Sequence, residues 1–195
     1  NESPSMDAWP IWNYQDGQQI RVVCYTNRAA ARLTLNGQTV GEEKKYDAKT
    51  GIIFWDIPYA AGRVEVFGLD SNGKELVRHA IQSSQRPVSI QTTLVGDPSI
   101  QAGGLLQLMV QLVDEKGIPV VLSEDEITCE IAGNARLLGM EAGNNADMGE
   151  YTDNKQRVHQ GKMIVYVQST GKAGDQIAIR LTSPWLKPAT VSYSV

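Results

Sequence analysis

No stretch of this 195-residue sequence approaches the roughly 20 consecutive apolar residues that a helix needs to cross a bilayer. The opening residues, NESPSMDAWP, lack the basic start and apolar run of a signal peptide, and they do not begin with methionine. The expectation is a chain that starts after processing or is a piece of something longer, so its own residues do not fix where it works. Cysteine is scarce. Cys24 and Cys129, one in each half, are too few for the disulfide lattice of a small secreted domain, and both are expected as buried thiols acting as small apolar residues. The two histidines, His79 and His159, stand in no HxxxH or comparable ligand spacing and have no cysteine pair nearby, which argues against a zinc site. No metal and no cofactor is expected. The 18 basic residues are scattered through a chain of net charge −4, which speaks against nucleic acid or anionic lipid as a partner. Helical patterning is missing too: glycines interrupt every stretch in which apolar residues recur at i, i+3 and i+4.

What the sequence does contain is alternation of period two. RVVCY at 21–25, ARLTL at 31–35, RVEVFGL at 63–69, LQLMVQLV at 106–113, KMIVYVQS at 162–169 and QIAIRLTS at 176–183 all read as strands. In the last, Ile177, Ile179 and Leu181 would face inward while Ala178, Arg180 and Thr182 face out, the one-sided pattern of an antiparallel sheet packed on a second sheet. Asn36-Gly37 between LTL and QTV is a hairpin signal, because both central residues tolerate positive φ. Further breaks fall at Asp16-Gly17, Ser71-Asn72-Gly73 and Glu115-Lys116-Gly117. SSQRP at 83–87 separates strand-like ELVRHAI from strand-like VSIQTTLV, and a domain boundary is placed there. The predicted fold is all-β: two tandem immunoglobulin-like β-sandwich domains, 1–84 and 85–195, each near the ~100 residues usual for that fold. A single larger sandwich is the alternative architecture.

Specific residues then point to a family. WNYQDGQQIRVVCYTN, LTLNGQTVG and FWDIPYAAGRVEVFGLDSNGKEL, over most of 12–82, resemble the immunoglobulin-like domain that follows the catalytic barrel in β-galactosidase-like members of glycoside hydrolase family two. The second half, from RPVSIQTTLVGDPSI through GNARLLGMEAGNNADMGEYTDNKQRVHQGKMIVYVQS, is similar to the final β-sandwich of those enzymes. It carries an invasin-like pattern in the strand exit from Asp114 to Gly117 and in the short turn from His159 to Lys162. The resemblance implies a β-galactosidase-type glycosidase parent acting on a glycan, exported to the periplasm or the cell exterior, with the catalytic domain of the same chain as partner. It also implies that the two catalytic glutamates lie on a barrel outside this sequence. The fragment would then be non-catalytic, supporting the barrel, the substrate cleft or oligomer contacts. The alternative is a free-standing carbohydrate-binding or adhesion module, since tandem sandwiches serve both.

Several residues are weighed for chemistry on their own terms. Glycoside hydrolysis needs two carboxyl groups held ~5 to 9 Å apart. Glu124, Asp125 and Glu126 are consecutive and would point to opposite faces, so a solvated loop is the expectation there. No GxSxG elbow accompanies the histidines, and no catalytic residue is assigned. Exposed aromatics can stack a sugar ring. Trp55 is expected in a core, Trp9 and Trp12 against a missing catalytic part, and Trp185, on a loop between two prolines, is the candidate for stacking an oligosaccharide. The stretch EAGNNADMGEYTDN at 141–154 gathers oxygen donors of the kind calcium accepts: Asn144, Asn145, Asp147, Glu150, Asp153 and Asn154. Its carboxylates recur every third residue, which does not fit an EF-hand. Asn144, Asn145, Asp147 and Glu150 remain candidates for ligand contact, with an irregular exposed connection as the alternative.

Overall fold

The computed structural model describes residues 9–96 and 101–195, and among them there is no helix. The chain forms two compact units, Asn1–Ser83 and Ser84–Val195. Each has its own apolar core, so the single larger sandwich does not occur.

The first unit carries β1 (Gln19–Tyr25), β2 (Ala30–Leu35), β3 (Gln38–Thr39), β4 (Lys44–Lys45), β5 (Ile52–Pro58), β6 (Arg63–Leu69) and β7 (Glu75–Gln82). A two-stranded antiparallel ribbon, β1 with β5, faces a larger sheet ordered β3-β2-β6-β7, to which β4 adds by pairing with the start of β2. Ile53, Trp55 and Ile57 alternate inward from β5 and meet Ala31, Leu33 and Val64. Trp12 does not wait for a missing partner: it is 2% exposed, packs on Tyr59 at 5.2 Å between ring centroids, and donates its indole N–H to the Ala60 carbonyl at 3.1 Å. Trp55 is likewise buried and donates to the Glu42 carbonyl at 2.8 Å, so both indoles bury their area with the polar atom satisfied. Asn36 and Gly37, at φ 52° and 81°, make the expected tight turn between β2 and β3.

The second unit carries β8 (Ser89–Val95), β9 (Leu105–Val113), β10 (Glu126–Gly133), β11 (Ala135–Glu141), β12 (Lys155–Arg157), β13 (Lys162–Ser169), β14 (Gln176–Thr182) and β15 (Ala189–Ser194). Two four-stranded antiparallel sheets, ordered β12-β10-β14-β15 and β11-β13-β9-β8, enclose the core. Leu106, Leu108, Val110 and Leu112 of β9 and Met163, Val165 and Val167 of β13 interdigitate with Ile127 and Cys129 of β10 and Ile177, Ile179 and Leu181 of β14. The inward and outward residues of β14 fall as the alternation predicts. Burial pushes the Cys129 thiol up to about 12, helped by Glu130, so at neutral pH it is an uncharged core residue. Cys24 is only half-buried, because a two-stranded ribbon cannot cover its own edges.

Two turns fix how strands enter the second unit's core. Asp114 is almost fully buried. Its Oδ1 accepts the N–H groups of Lys116 and Ile118, both at 2.9 Å, and its Oδ2 accepts that of Gln85 at 3.0 Å. Burial alone would raise its pKa, but the three N–H donors and the nearby Lys116 charge outweigh that and hold it below the usual carboxylate range. Gln160 and Gly161 turn the chain between His159 and Lys162 at φ 52° and 69°. A Cβ on Gly161 would stand 2.2 Å from the Val120 carbonyl oxygen, so backbone shape and packing both require glycine there.

Gly161→Ala is therefore expected to lower unfolding stability by about 2 kcal/mol or more, measured by chemical denaturation; an unchanged midpoint would contradict the packing argument. Asp114→Ala leaves three inward N–H groups without an acceptor and should cost ~3 kcal/mol. The folded pKa of Asp114 is depressed, so its contribution is complete above the unfolded value of ~3.9 and disappears as pH falls through the lower folded pKa. The variant should lack that component of acid destabilisation, which stability curves between neutral and acid pH would reveal.

Candidate functional site

Residues 141–154 connect β11 to β12, and their amide and acidic side chains are used to shape the connection. Asn144 accepts the Ala146 N–H through Oδ1 at 3.0 Å, while its carbonyl accepts the Asp147 N–H at 3.0 Å. Asp147 spends both carboxylate oxygens inside the protein: Oδ1 accepts the Gly149 N–H at 2.8 Å and Oδ2 accepts the amide of buried Gln156 at 2.5 Å. The bond from Gln156 and then that from Gly149 hold its pKa below the ordinary value. Tyr151 donates its hydroxyl to the Asp147 carbonyl at 3.2 Å, and its own carbonyl accepts the Met140 N–H at 2.9 Å, which ties the loop back to β11. Asn154 closes the far end on Cys129, accepting the N–H at 2.8 Å and donating its amide to the carbonyl at 3.3 Å. Such side-chain to backbone bonds are what Asn and Asp do in turns, so turn formation accounts for most of the polar composition.

Around this loop lies an open polar cleft of about 450 Å³, with Glu124, Glu126, Asn144, Asp147, Glu150 and Arg157 in its lining. The fold thus brings together two acidic clusters that are about 20 positions apart in sequence. Asn145 and Glu150 are exposed, and Glu150 accepts the Thr152 hydroxyl at 3.3 Å. Among the described residues no three or more His, Cys, Asp or Glu side chains are grouped as a metal site. A general acid needs a raised pKa at working pH. Asp147 is moved the other way.

Trp185 stands apart from the cleft. It is 84% exposed on the turn joining β14 to β15, while its neighbour Leu186 is buried in the core. Backbone bonds from the Lys187 N–H to the Val88 carbonyl, 2.8 Å, and from the Ile90 N–H to the Lys187 carbonyl, 3.3 Å, pin the turn to β8. The indole is therefore presented on a fixed base. His79 is exposed on β7 and His159 is half-buried at its turn, and they belong to different units.

Sequence reasoning missed a second cleft, of about 560 Å³, on the outer face of the β1–β5 ribbon. A signal was present: Val22-Val23 and Ile52-Ile53-Phe54-Trp55 are apolar on both faces of their strands, which a ribbon with one solvated face does not require.

Residues 97–192 match the model of glycoside hydrolase family 2 C-terminal domain 5, and residues 17–77 match that of a domain of unknown function, DUF4982. The chain is 30% identical over 193 residues to the β-galactosidase BoGH2A of Bacteroides ovatus, covering 97% of this chain and 22% of that protein. Residues 97–192 thus correspond to a C-terminal domain of glycoside hydrolase family 2, and the chain as a whole is similar to the C-terminal part of that family's enzymes. A solved β-glycosidase from Bacteroides vulgatus superposes with a TM-score of 0.88 at 28% identity, over 96% of this chain and 24% of that one. A glycosyl hydrolase family 2 member from Bacteroides cellulosilyticus, with a TM-score of 0.85 at 24% identity, covers 94% and 25% and shares the fold. The chain thus spans about a quarter or less of the relatives it matches.

Because both Asp147 oxygens are already bonded, millimolar calcium or a chelator is expected to leave the melting temperature of the chain unchanged; a calcium-dependent rise would contradict this reading of the loop. Asp147→Ala should release the Gly149 N–H and leave the buried Gln156 amide with only its bond to the Arg157 carbonyl, raising amide exchange across 144–151 relative to the unsubstituted chain.

Proposed function

We propose that this chain is the non-catalytic C-terminal part of a β-galactosidase-type glycosidase, and that its two domains, 1–84 and 85–195, brace the catalytic barrel, shape one side of its substrate cleft or carry oligomer contacts. The observation that carries this is one of extent: nearly the whole chain aligns with BoGH2A, yet it spans only 22% of that protein. The physical character of the molecule supports it. Its buried area and bonded polar groups go into two sandwich cores and their turns, and its most polar loop is organised by hydrogen bonds to itself. The catalytic domain of the same parent is the proposed partner, and a periplasmic or extracellular location follows from the parent rather than from this sequence.

A second role is favoured by one observation, the exposed Trp185 indole on its anchored turn. An exposed indole on an anchored turn offers a flat apolar face to a sugar ring. Asn144, Asn145, Asp147 and Glu150 are proposed as a separate set of polar contacts for an oligosaccharide at the cleft beside their loop, with Asn145 and Glu150 the exposed members and Asn144 and Asp147 offering only the lone pairs their turn bonds leave.

The purified 195-residue chain is expected to show no turnover of aryl β-galactosides above background. Sustained hydrolysis that copurifies with the chain would overturn the non-catalytic assignment.

A further inference from the structure

The outer face of the β1–β5 ribbon is apolar where solvent would favour polar residues. Register pairs Tyr25 with Ile52 and Val23 with Phe54 on that face, and Tyr25 and Phe54 are 56% and 41% exposed. The strip ends in Arg21 paired with Asp56, held by two bonds of 2.8 and 2.9 Å. Above the strip is the cleft of about 560 Å³, and its charged lining is Arg21, Lys44, Lys45 and Lys49 against Asp47 alone. That excess of cations runs against the net charge of −4 for the whole chain.

Arg21 is neutralised by Asp56, whose carboxylate also feels the Lys44 charge, which leaves Lys45 and Lys49 as the cations not neutralised from within. Asp47 is occupied by its own turn, accepting the Lys49 N–H at 2.9 Å and the Thr50 hydroxyl at 3.1 Å. Among the described residues, none of the ion pairs involves Lys44, Lys45 or Lys49. Lys44 is fixed in place by donating to the Phe54 carbonyl at 2.6 Å, with its ammonium 4.8 Å from the Phe54 ring centroid. Arg21 lies 4.4 Å from the same centroid. The face therefore combines the apolar Val23 and Ile52 with a half-exposed Phe54 ring that Arg21 and Lys44 already approach, and the pairing of β4 with β2 holds Lys44 and Lys45 there.

We propose that this cleft binds an acidic oligosaccharide, with the C–H face of a hexuronate ring on Val23, Ile52 and Phe54 and its carboxylate on Lys45 and Lys49. A hexuronate carries both required features on one ring, an apolar face and a fixed negative charge. The choice of a sugar rests on the glycosidase reading above; the cationic, apolar-floored site does not. The size falls within the range of small-ligand clefts.

The test is calorimetric titration of the full 195-residue chain with trigalacturonate, neutral galactotriose and inorganic sulfate. Trigalacturonate should bind and weaken with added salt, and galactotriose and sulfate should bind at least tenfold more weakly. The double variant Lys45→Gln/Lys49→Gln should lose roughly tenfold or more in affinity, and Phe54→Ala should also weaken binding, while Trp185→Ala leaves it unchanged. Thermal melting of each variant confirms folding. No trigalacturonate binding, equal binding of the neutral trisaccharide or of sulfate, or full affinity in the lysine double variant would overturn the proposal. None of these results depends on whether the parent is a galactosidase.

Discussion

Side chains on a β-strand alternate between two faces, and burying one of those faces is the constraint on which both units of this chain rest. The second unit meets it with equal partners: four strands face four, and aliphatic residues from β9, β13, β10 and β14 close the seam. The first unit cannot, since a ribbon of two strands must cover a larger sheet. Aromatic volume makes up the difference. Trp12 enters from outside the sheets, packs with Tyr14 and Tyr59, and with Trp55 supplies the bulk that further strands would have given.

That asymmetry has consequences at the surface. The inward residues of β5 are buried, but those of β1, Ile20, Val22 and Cys24, are only half-buried and the outer face is uncovered, which leaves Tyr25 and Phe54 exposed. In the second unit the comparable polar investment goes into turns. Asp114 and Gly161 hold their corners through a buried carboxylate and a glycine against a carbonyl, and the 141–154 connection folds on its own amides and carboxylates. These are devices for positioning strands, which suits a brace better than a catalyst.

Much of this was legible in the residues. The alternation of Ile177, Ile179 and Leu181 located a buried face, and Asn36-Gly37 located a hairpin, because each depends on local geometry that a short sequence encodes. The place of Trp12 is not legible because it precedes the first strand, where no periodicity distinguishes a core contact from an interface; Tyr59 and Ala60, far away in sequence, decide it. The loop at 141–154 was ambiguous for a related reason. Asn and Asp serve ligands and turns with the same oxygen atoms, and only the position of Gln156 shows where those of Asp147 are spent. The cationic cleft depends on a two-residue pairing between β4 and β2, too short to be read from sequence pattern.

The central claim is that these sandwiches support chemistry performed elsewhere in a longer glycosidase. The most direct measurement compares that parent with a version ending before Asn1, by calorimetry and steady-state hydrolysis of an aryl β-galactoside. A lower melting temperature together with reduced kcat/KM, and partial recovery on adding the 195-residue chain in trans, is the predicted result. A truncated parent with the same melting temperature, oligomeric state and kcat/KM as the whole would contradict it.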